Sequence, residues 1–443
     1  MGSLSLPDSV LALIHRLETA GFPTYAVGGC VRDMLLGLTP QDYDLCTAAL
    51  PEQTEALFSD HSLVLAGKKH GTVGVITHSS VVEITTFRTE GGYGDNRHPD
   101  WVKFVPDIRE DLARRDFTVN AMAYSPTRGF ADPFGGQTDL NNHILRAVGD
   151  PLTRFREDSL RILRGVRFSV RYNLKAEGNT AHAMKTLAPL MDNLARERVL
   201  EEFCKLLPLV SAADLLTYAP VLSAVIPELA PMIGFDQHSP HHAYDLFTHT
   251  AHVVENVPNT LPLRWAALLH DTGKVPAFTQ DENGRGHFYG HAGESAKFAE
   301  NILRRLKAPT ALREEVVLLI SLHMTNLEPT KKVIRRWLSR LGRETLDKLL
   351  FLQKADMVSK GVDVTEELPQ FDQLHAILEE IDRENACLSL KDLAVKGNDL
   401  MALGYTGREI GQMLNALLDR VLDEQVPNEK EALLGWLTNL HSL

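Results

Sequence analysis

Asp42 and Asp44, two acids on alternate positions, follow closely on the run Gly28-Gly29-Cys30-Val31-Arg32-Asp33. Carboxylates at i and i+2 of a strand point to the same face. Side by side they can hold one or two Mg²⁺ ions. In a two-metal arrangement one ion activates an attacking hydroxyl and the other steadies a triphosphate and its leaving pyrophosphate. Glycines upstream let the backbone approach phosphate oxygens, and a helix starting near Val31 would offer its N-terminal amides to them. Arg32 adds a fixed positive charge. A third acid, Glu83, lies on a later strand with Thr85 and Phe87 on its face, and by itself reads equally well as a solvated strand residue. DxD also recurs on surfaces, and a glycine pair before a helix can be only a tight turn. Order and spacing together single out Gly28, Gly29, Arg32, Asp42 and Asp44 as a place where a nucleoside triphosphate meets Mg²⁺.

A second group of charges begins at Glu157-Asp158-Ser159-Leu160-Arg161 and continues through Arg164, Arg167 and Arg171. At 100° per residue, Asp158 and these arginines fall within half a turn of a helix. Such a stripe can be a solvated face with i,i+3 and i,i+4 ion pairs. Leu160, Ile162, Leu163, Val166 and Phe168 fill the remaining arc, however, so the helix is expected to be well buried and its arginines to bind something anionic.

A third group centres on His270-Asp271, placed after the apolar run Trp265-Ala266-Ala267-Leu268-Leu269. His249 lies upstream; His287, His291, His323 and Asp356 lie downstream. Any one of these histidines alone is more often structural. Together, ending on an aspartate within an apolar helix (Leu349–Val358), they form a nitrogen and carboxylate set suited to a transition metal such as Mn²⁺, Ni²⁺ or iron.

The elements that must position these groups follow from pattern and punctuation. Residues 7–20 show apolar Leu11, Ile14 and Leu17 at helical spacing. Thr24–Val27 is a short strand running into the glycines, Val31–Leu36 a helix stopped by Gly37, and Tyr43-Asp44-Leu45 a strand carrying the acids. Val73–Thr77 and Val81–Phe87 are β-rich runs joined as a hairpin through His78-Ser79-Ser80. The polar, glycine-rich stretch Thr89–Asp100 lacks periodicity and reads as a mobile loop. Beyond Pro151 helical patterns dominate, for example at Val316–Leu322, Val333–Leu341, Leu374–Ile381 and Leu414–Leu422. With 443 residues the chain predicts about three domains. Its composition, 44% apolar and 23% charged, is that of a soluble globular protein. No apolar run reaches the roughly 18 to 20 residues needed to cross a bilayer, and the N-terminus lacks a signal-peptide pattern. Cys30, Cys46, Cys204 and Cys387 are scattered and read as reduced thiols of a cytoplasmic protein. A net charge of −12 argues against a surface coated for non-specific nucleic-acid binding, although six arginines between positions 154 and 171 provide a local basic stripe.

GGxVRDxLLG followed by DxD resembles the head-domain signature of class II (bacterial) tRNA nucleotidyltransferases, the CCA-adding enzymes, and of bacterial poly(A) polymerases in the polymerase-β-like superfamily. Arg114-Arg115-Asp116-Phe117-Thr118-Val119-Asn120-Ala121 resembles the same group's RRDFTxNA, which implies that Arg115 contacts nucleotide while Asp116 and Asn120 organise the site. The segment from Arg88 to Arg109 resembles its flexible loop. EDxxRxxRxxRF resembles the amino-acid template for base selection: Asp158 would accept from an exocyclic amine and Arg161 donate to a pyrimidine carbonyl or ring nitrogen, with Arg164 and Arg167 on phosphate or in support. Ala195-Arg196-Glu197-Arg198-Val199 resembles a later neck motif of mainly structural role.

The order H…HD…H…H…D, with Gly273-Lys274 after HD, resembles the HD-domain phosphohydrolases. Tyr244–Thr250 matches the usual context of the first histidine, which selects His249 over His252, and Lys274 would contact phosphate. The resemblance implies an α/β polymerase-β-like nucleotidyltransferase head (1–148), an all-α neck with the template helix (149–215), an HD body (216–365) and a helical, tRNA-gripping tail (366–443). The expected activity is template-free addition of C, C and A to the tRNA 3′ end from CTP and ATP, with Mg²⁺ in the head and a transition metal in the body. The partners are the tRNA 3′ end and the two nucleotides, with no membrane. Alternatives are an A-adding enzyme, a poly(A) polymerase, an HD phosphohydrolase with an RNA-binding head, and a nucleotide sensor with two silent sites; the intact motifs disfavour the last two.

Overall fold

The computed structural model describes residues 4–78, 80–92 and 101–440. The chain divides into two compact units, Met1–Ala230 with Arg305–Ala308, and Pro231–Arg304 with Pro309–Leu443.

The first unit is built on β1 (Thr24–Val27), β2 (Asp44–Thr47), β3 (Leu63–Val64), β4 (Thr72–Ile76), β5 (Val81–Thr86), β6 (Arg88–Gly91), β7 (Trp101–Phe104), β8 (Ala123–Ser125) and β9 (Gly129–Ala131). Seven of these form a mixed sheet in the order β3-β4-β5-β2-β1-β8-β9. Within it β2 and β5 run parallel and set Asp44 opposite Glu83. Period-2 alternation turns Val82 and Ile84 of β5 inward and leaves Val81 and Glu83 outside. Val27, Cys46, Phe87, Leu112, Ala121 and Ala123 pack as one apolar cluster beneath the acidic edge. The β4–β5 hairpin closes with the Thr77 N–H donating to the Ser80 carbonyl at 2.8 Å; Ser79 lies outside the described residues. Two local expectations change. β2 begins at Asp44, so Asp42 sits just before the strand rather than on it. Part of the stretch expected to be an aperiodic loop is regular, because Arg88–Gly91 pairs with Trp101–Phe104 as a separate antiparallel ribbon; residues 93–100 lie outside the described residues.

The helix Leu160–Arg171 buries Leu160, Ile162, Leu163, Val166 and Phe168, as its apolar arc requires, and packs against the helix Arg196–Leu206.

In the second unit the helices Leu246–Asn256, Leu261–Leu269, Thr310–Leu322 and Arg343–Val358 pack on one another. Its C-terminal part is helical, as expected, and has its own core of Leu393, Val395, Leu400, Leu417, Leu433 and Leu437. Three short strands fall where only helix was anticipated, Lys175–Ala176, which pairs with Ile144–Leu145 of the head, and the pair Thr279–Gln280 with Gly286–His287; two residues are too few to show alternation. Among the described residues no helix is long and apolar enough to cross a membrane.

Candidate functional site

Two separate groups of chemistry-bearing side chains emerge, one in each unit. In the first, the turn from β1 into the helix Gly29–Leu35 passes through Gly28 at φ +77°. That conformation favours glycine, and a Cβ there would stand 2.6 Å from Arg115 Nη1. The glycine therefore lets Arg115 lie against the chain. At seven residues the following helix contributes little through its dipole, so the positive charge comes from side chains. Asp44, at the start of β2, keeps solvent access, yet its carboxyl is pushed up to about 6, by desolvation first and then by the Asp42 charge; Glu83 adds and Arg115 opposes. Carboxylates that repel one another in this way are a donor set that fits a hard divalent cation.

A cavity of ≈ 380 Å³ joins Asp42 and Asp44 to Arg32, Arg115, Arg164 and Arg167. Most of its charges are fixed by partners. Arg164 donates from Nε and Nη2 to Asp116 Oδ2 at 3.0 and 2.8 Å. Asp116 Oδ1 accepts from the Phe117 N–H at 2.8 Å and from Asn120 Nδ2 at 3.0 Å. Burial pushes the Asp116 carboxyl up, but the Arg164 guanidinium and the Asn120 amide outweigh it and hold the acid at about 2. Asn120 Oδ1 in turn accepts from Arg32 Nη1, and Arg32 donates to Asp33 Oδ1 at 2.9 and 2.7 Å while lying 4.1 Å over the Tyr172 ring. Arg167 is held by Glu202 at 2.6 Å. The buried Nε of Arg115 has no hydrogen-bond partner among the described residues.

Asp158 and Arg161 are not among the side chains lining this cavity. Asp158 accepts from Arg198 Nη2 at 2.9 Å. Arg161 donates to Glu157 at 2.8 Å and to the carbonyls of Arg154 and Arg114, each at 3.1 Å. Lys205, Arg171, Phe168 and Tyr172 do line the cavity. Lys205 went unmarked in the sequence; it belongs to the helix packed beside the arginine stripe, a pairing that spacing along one segment does not reveal.

In the second unit His249, His270, Asp271 and Asp356 bring ligand atoms within 4.8 Å of one another, and so do Asp271, His291 and His323. Four histidines share one device. The Nδ1 atoms of His249, His270, His291 and His323 face the carbonyls of Ser359, Ala267, Phe288 and Ile320 at 3.1, 2.8, 2.8 and 2.6 Å. A carbonyl only accepts, so Nδ1 carries a proton, and in the neutral ring Nε2 turns a lone pair into the cluster. His270 and His323 manage this as the C-caps of their helices, where the carbonyls of the last turn are free of the regular helical ladder. Gly273 lets the segment after Asp271 approach: a Cβ there would meet the Ser295 nitrogen at 2.5 Å.

The Nε2 atoms of His249 and His270 and the Oδ1 of Asp271 are buried without a hydrogen-bond partner among the described residues. Instead, acceptors face acceptors. His249 Nε2 is 3.0 Å from Asp356 Oδ1, and His291 Nε2 is 3.3 Å from His323 Nε2. Burial pushes His291 down, and burial followed by the His270 charge pushes His323 down to about 4, which keeps both rings neutral near pH 7. Burial would also lower His270, but Asp271 and then Asp356 outweigh it and push that ring up to about 10. The carboxylates thus hold a positive charge at the centre, and a divalent cation fits the place of that proton.

Two adjustments follow. His287, expected among the ligands, belongs to neither group: its Nε2 meets Asp281 Oδ2 at 3.0 Å and its ring stacks on Tyr289. The short pair Thr279–Gln280 with Gly286–His287 fixes it there. His242 was not anticipated, yet its ring lies 5.1 Å from that of His249 and it lines the adjoining cavity with Lys274. Burial, with Lys274 next, pushes His242 down to about 3. No spacing rule pointed to it. Lys274 sits 2.8 Å from Asp271 Oδ2 and donates to Gln237 Oε1 at 3.0 Å, while His252, beside Tyr244, lies outside the cluster.

A mixed sheet with an acidic pair opening on an arginine-lined cavity defines the class, a nucleotidyltransferase head. Residues 24–146 match the family described as Poly A polymerase head domain, residues 173–233 the "Probable RNA and SrmB-binding site of polymerase A", and residues 286–437 a tRNA nucleotidyltransferase domain 2. The last match covers most of the C-terminal stretch, where no motif was apparent. A CCA-adding enzyme of Bacillus velezensis is 32% identical over 431 residues, 97% of each chain. One from Streptococcus mutans is 32% identical over 448 residues, 97% of this chain and 96% of the other. The crystal structure of Bacillus stearothermophilus CCA-adding enzyme in complex with CTP superposes with a TM-score of 0.73 at 28% identity, covering 98% of this chain and 97% of that one. The chain belongs to the CCA-adding enzyme family of tRNA nucleotidyltransferases.

Proposed function

We propose that the chain adds C, C and A to the 3′ end of tRNA from CTP and ATP without a nucleic-acid template. The observation that carries this reading is the acidic pair Asp42 and Asp44 on the same cavity as Arg32, Arg115 and Arg164, in a chain alike over its whole length to CCA-adding enzymes. The terminal 3′-OH of the tRNA attacks the α-phosphate and pyrophosphate leaves. Mg²⁺, held by Asp42 and Asp44 with Glu83 as a further ligand, would activate that hydroxyl and neutralise the leaving group. Gly28 and Gly29 admit the phosphates close to the backbone. Arg32 and Arg164, held by Asp33, Asn120 and Asp116, present fixed charges that need no reorganisation on binding; Arg167, Arg171 and Lys205 extend the positive wall. Arg115, whose buried Nε is unpaired among the described residues, reaches the nucleotide. Asp158 and Arg161 select the base. To do so they exchange their present partners, Arg198 and Glu157, for base edges.

The deciding experiment offers tRNA ending at the discriminator base, after C, or after CC, with CTP, ATP or both. Incorporation of C, C and then A on the shortest substrate supports the reading. Addition of A to the CC-ended tRNA alone assigns an A-adding enzyme, and unlimited A addition a poly(A) polymerase.

A second reading concerns the second unit, where the four histidines with Nδ1 turned to carbonyls favour a bound divalent transition metal and phosphoester hydrolysis, with Lys274 near the phosphate. Turnover of 2′,3′-cyclic AMP with Mn²⁺ or Ni²⁺, lost in His270→Ala, supports it; no turnover in the metal-loaded protein removes it.

A further inference from the structure

We propose that Tyr172 is a positioning residue for nucleotide binding: it fixes Arg32 so that the one donor this guanidinium has left serves the triphosphate. This rests on the nucleotidyl transfer proposed above and adds a residue that no motif of the sequence marks. Arg32 belongs to the short helix Gly29–Leu35, and Tyr172 is the C-cap of the helix Leu160–Arg171. Both are buried, with 5% and 8% of their surface exposed, and both line the cavity that Asp42 and Asp44 share. A guanidinium has five N–H donors and no acceptor. Nε and one Nη2 hydrogen of Arg32 go to Asp33 Oδ1 at 2.9 and 2.7 Å, and one Nη1 hydrogen goes to Asn120 Oδ1. The second Nη2 hydrogen goes to the Tyr172 hydroxyl. Among the described residues one N–H is left over, on Nη1, and through it the buried charge is offered to the cavity.

The ring of Tyr172 works with its hydroxyl. Its centroid lies 4.1 Å from the guanidinium carbon of Arg32, and such an attraction strengthens where water is excluded. Phe168, one turn earlier on the same helix, stands 5.4 Å from the same guanidinium. Asp33 grips Arg32 through a single oxygen, which leaves the guanidinium free to pivot about that atom. A ring against the guanidinium and an acceptor at Nη2 remove that freedom. Burial pushes the Tyr172 phenol up, Arg32 opposes and the Asp33 charge adds, so the hydroxyl stays neutral and goes on accepting. Tyr172 thus acts on the substrate through Arg32. Because the triphosphate is common to CTP and ATP, its effect is the same for both, unlike that of Asp158 and Arg161, which are assigned to the base.

The test measures CTP and ATP addition to tRNA by the full chain and by Tyr172→Phe, which keeps the ring and loses the acceptor. KM should rise roughly 5- to 10-fold for both nucleotides, with kcat within about twofold of the parent. Inhibition by pyrophosphate, which carries no base, should weaken by the same factor. Tyr172→Leu, which also loses the ring, should raise both KM values further, so that the phenylalanine variant stands between it and the parent. In an Arg32→Gln background Tyr172→Phe should change kcat/KM by less than about twofold, because the group it holds is gone. An unchanged KM in Tyr172→Phe, a change confined to one nucleotide, or a fall in kcat alone overturns the positioning role and leaves the nucleotidyl transfer standing. Equal losses with and without Arg32 overturn it as well, since Tyr172 then acts by another route. No addition of C or A by the parent overturns the proposed function, and this role with it. Circular dichroism reports whether each variant is folded; where Tyr172→Leu or Arg32→Gln is not, the KM values and pyrophosphate inhibition of Tyr172→Phe decide alone.

Discussion

The two sites solve the problem of placing charge in opposite ways. Around the first cavity nearly every named charge already has a counter-charge: Arg164 on Asp116, Arg32 on Asp33, Arg167 on Glu202 and Arg198 on Asp158. The acids proposed as metal ligands, Asp42 and Asp44, are exposed at its edge. In the second unit His249 and His270 are fully buried, and their Nε2 atoms face carboxylates without a hydrogen-bond partner among the described residues. Each buried polar group without a partner costs about 1–3 kcal/mol. The first site is therefore pre-organised by its own protein and should lose function, not fold, when one of the proposed metal ligands is removed. On the metal-binding reading proposed above, the second would depend on a bound cation for stability.

The largest effect that can break this contrast is on catalysis in the first unit. Asp42→Ala should lower CMP incorporation into tRNA by at least about 1000-fold, or about 4 kcal/mol of transition-state stabilisation. An exposed site of this kind should change stability by no more than about 0.5 kcal/mol. Retained incorporation removes Asp42 from the metal site, and a large loss of stability removes the claim that the acids play no structural part. The next effect belongs to the second unit. Stripping the loaded protein with a chelator, then restoring Mg²⁺, should cost about 2.7 kcal/mol for one bound cation that had been present at about 100 times its dissociation constant. Calorimetry should show a lower transition for the second unit while nucleotide addition persists. An unchanged transition would mean that the buried histidines are tolerated without a cation.

The same contrast explains what the sequence disclosed. The β1 strand, the glycine turn, Asp42 and Asp44, and the helix carrying Asp158 to Arg171 are local, and period and spacing within a few residues specify them. His249, His270, Asp271, His323 and Asp356 were recognisable by their order, although they come from four separate packed helices. What order could not supply was orientation. His287 lies between two true cluster members in sequence and yet turns to Asp281, because a two-residue strand pair holds it. Lys205 and His242 reach their cavities through the packing of segments distant in sequence, which no single-segment pattern encodes. Likewise Asp158 and Arg161 stand on the expected helix, but their partners, Arg198 and the Arg114 carbonyl, are long-range choices.

The smallest effect concerns how firmly the first site is pre-organised, and its sign follows from Asp116. The acid is held at about 2 in the folded protein against an ordinary value of 3.8. The folded state thus binds the proton less readily than the unfolded chain. Asp116 therefore stabilises above about pH 4, and this contribution fades as pH falls through 2. The shift corresponds to about 2 kcal/mol. Asp116→Asn should be less stable than the parent by about that amount in urea unfolding at pH 6, and the two curves should converge as the pH approaches 2. Chelation should leave the difference unchanged, since no ion is involved. A gap that persists undiminished to pH 2 would show that packing, not the Arg164 charge, holds Asp116. The pre-organisation of the arginine wall would then have another source.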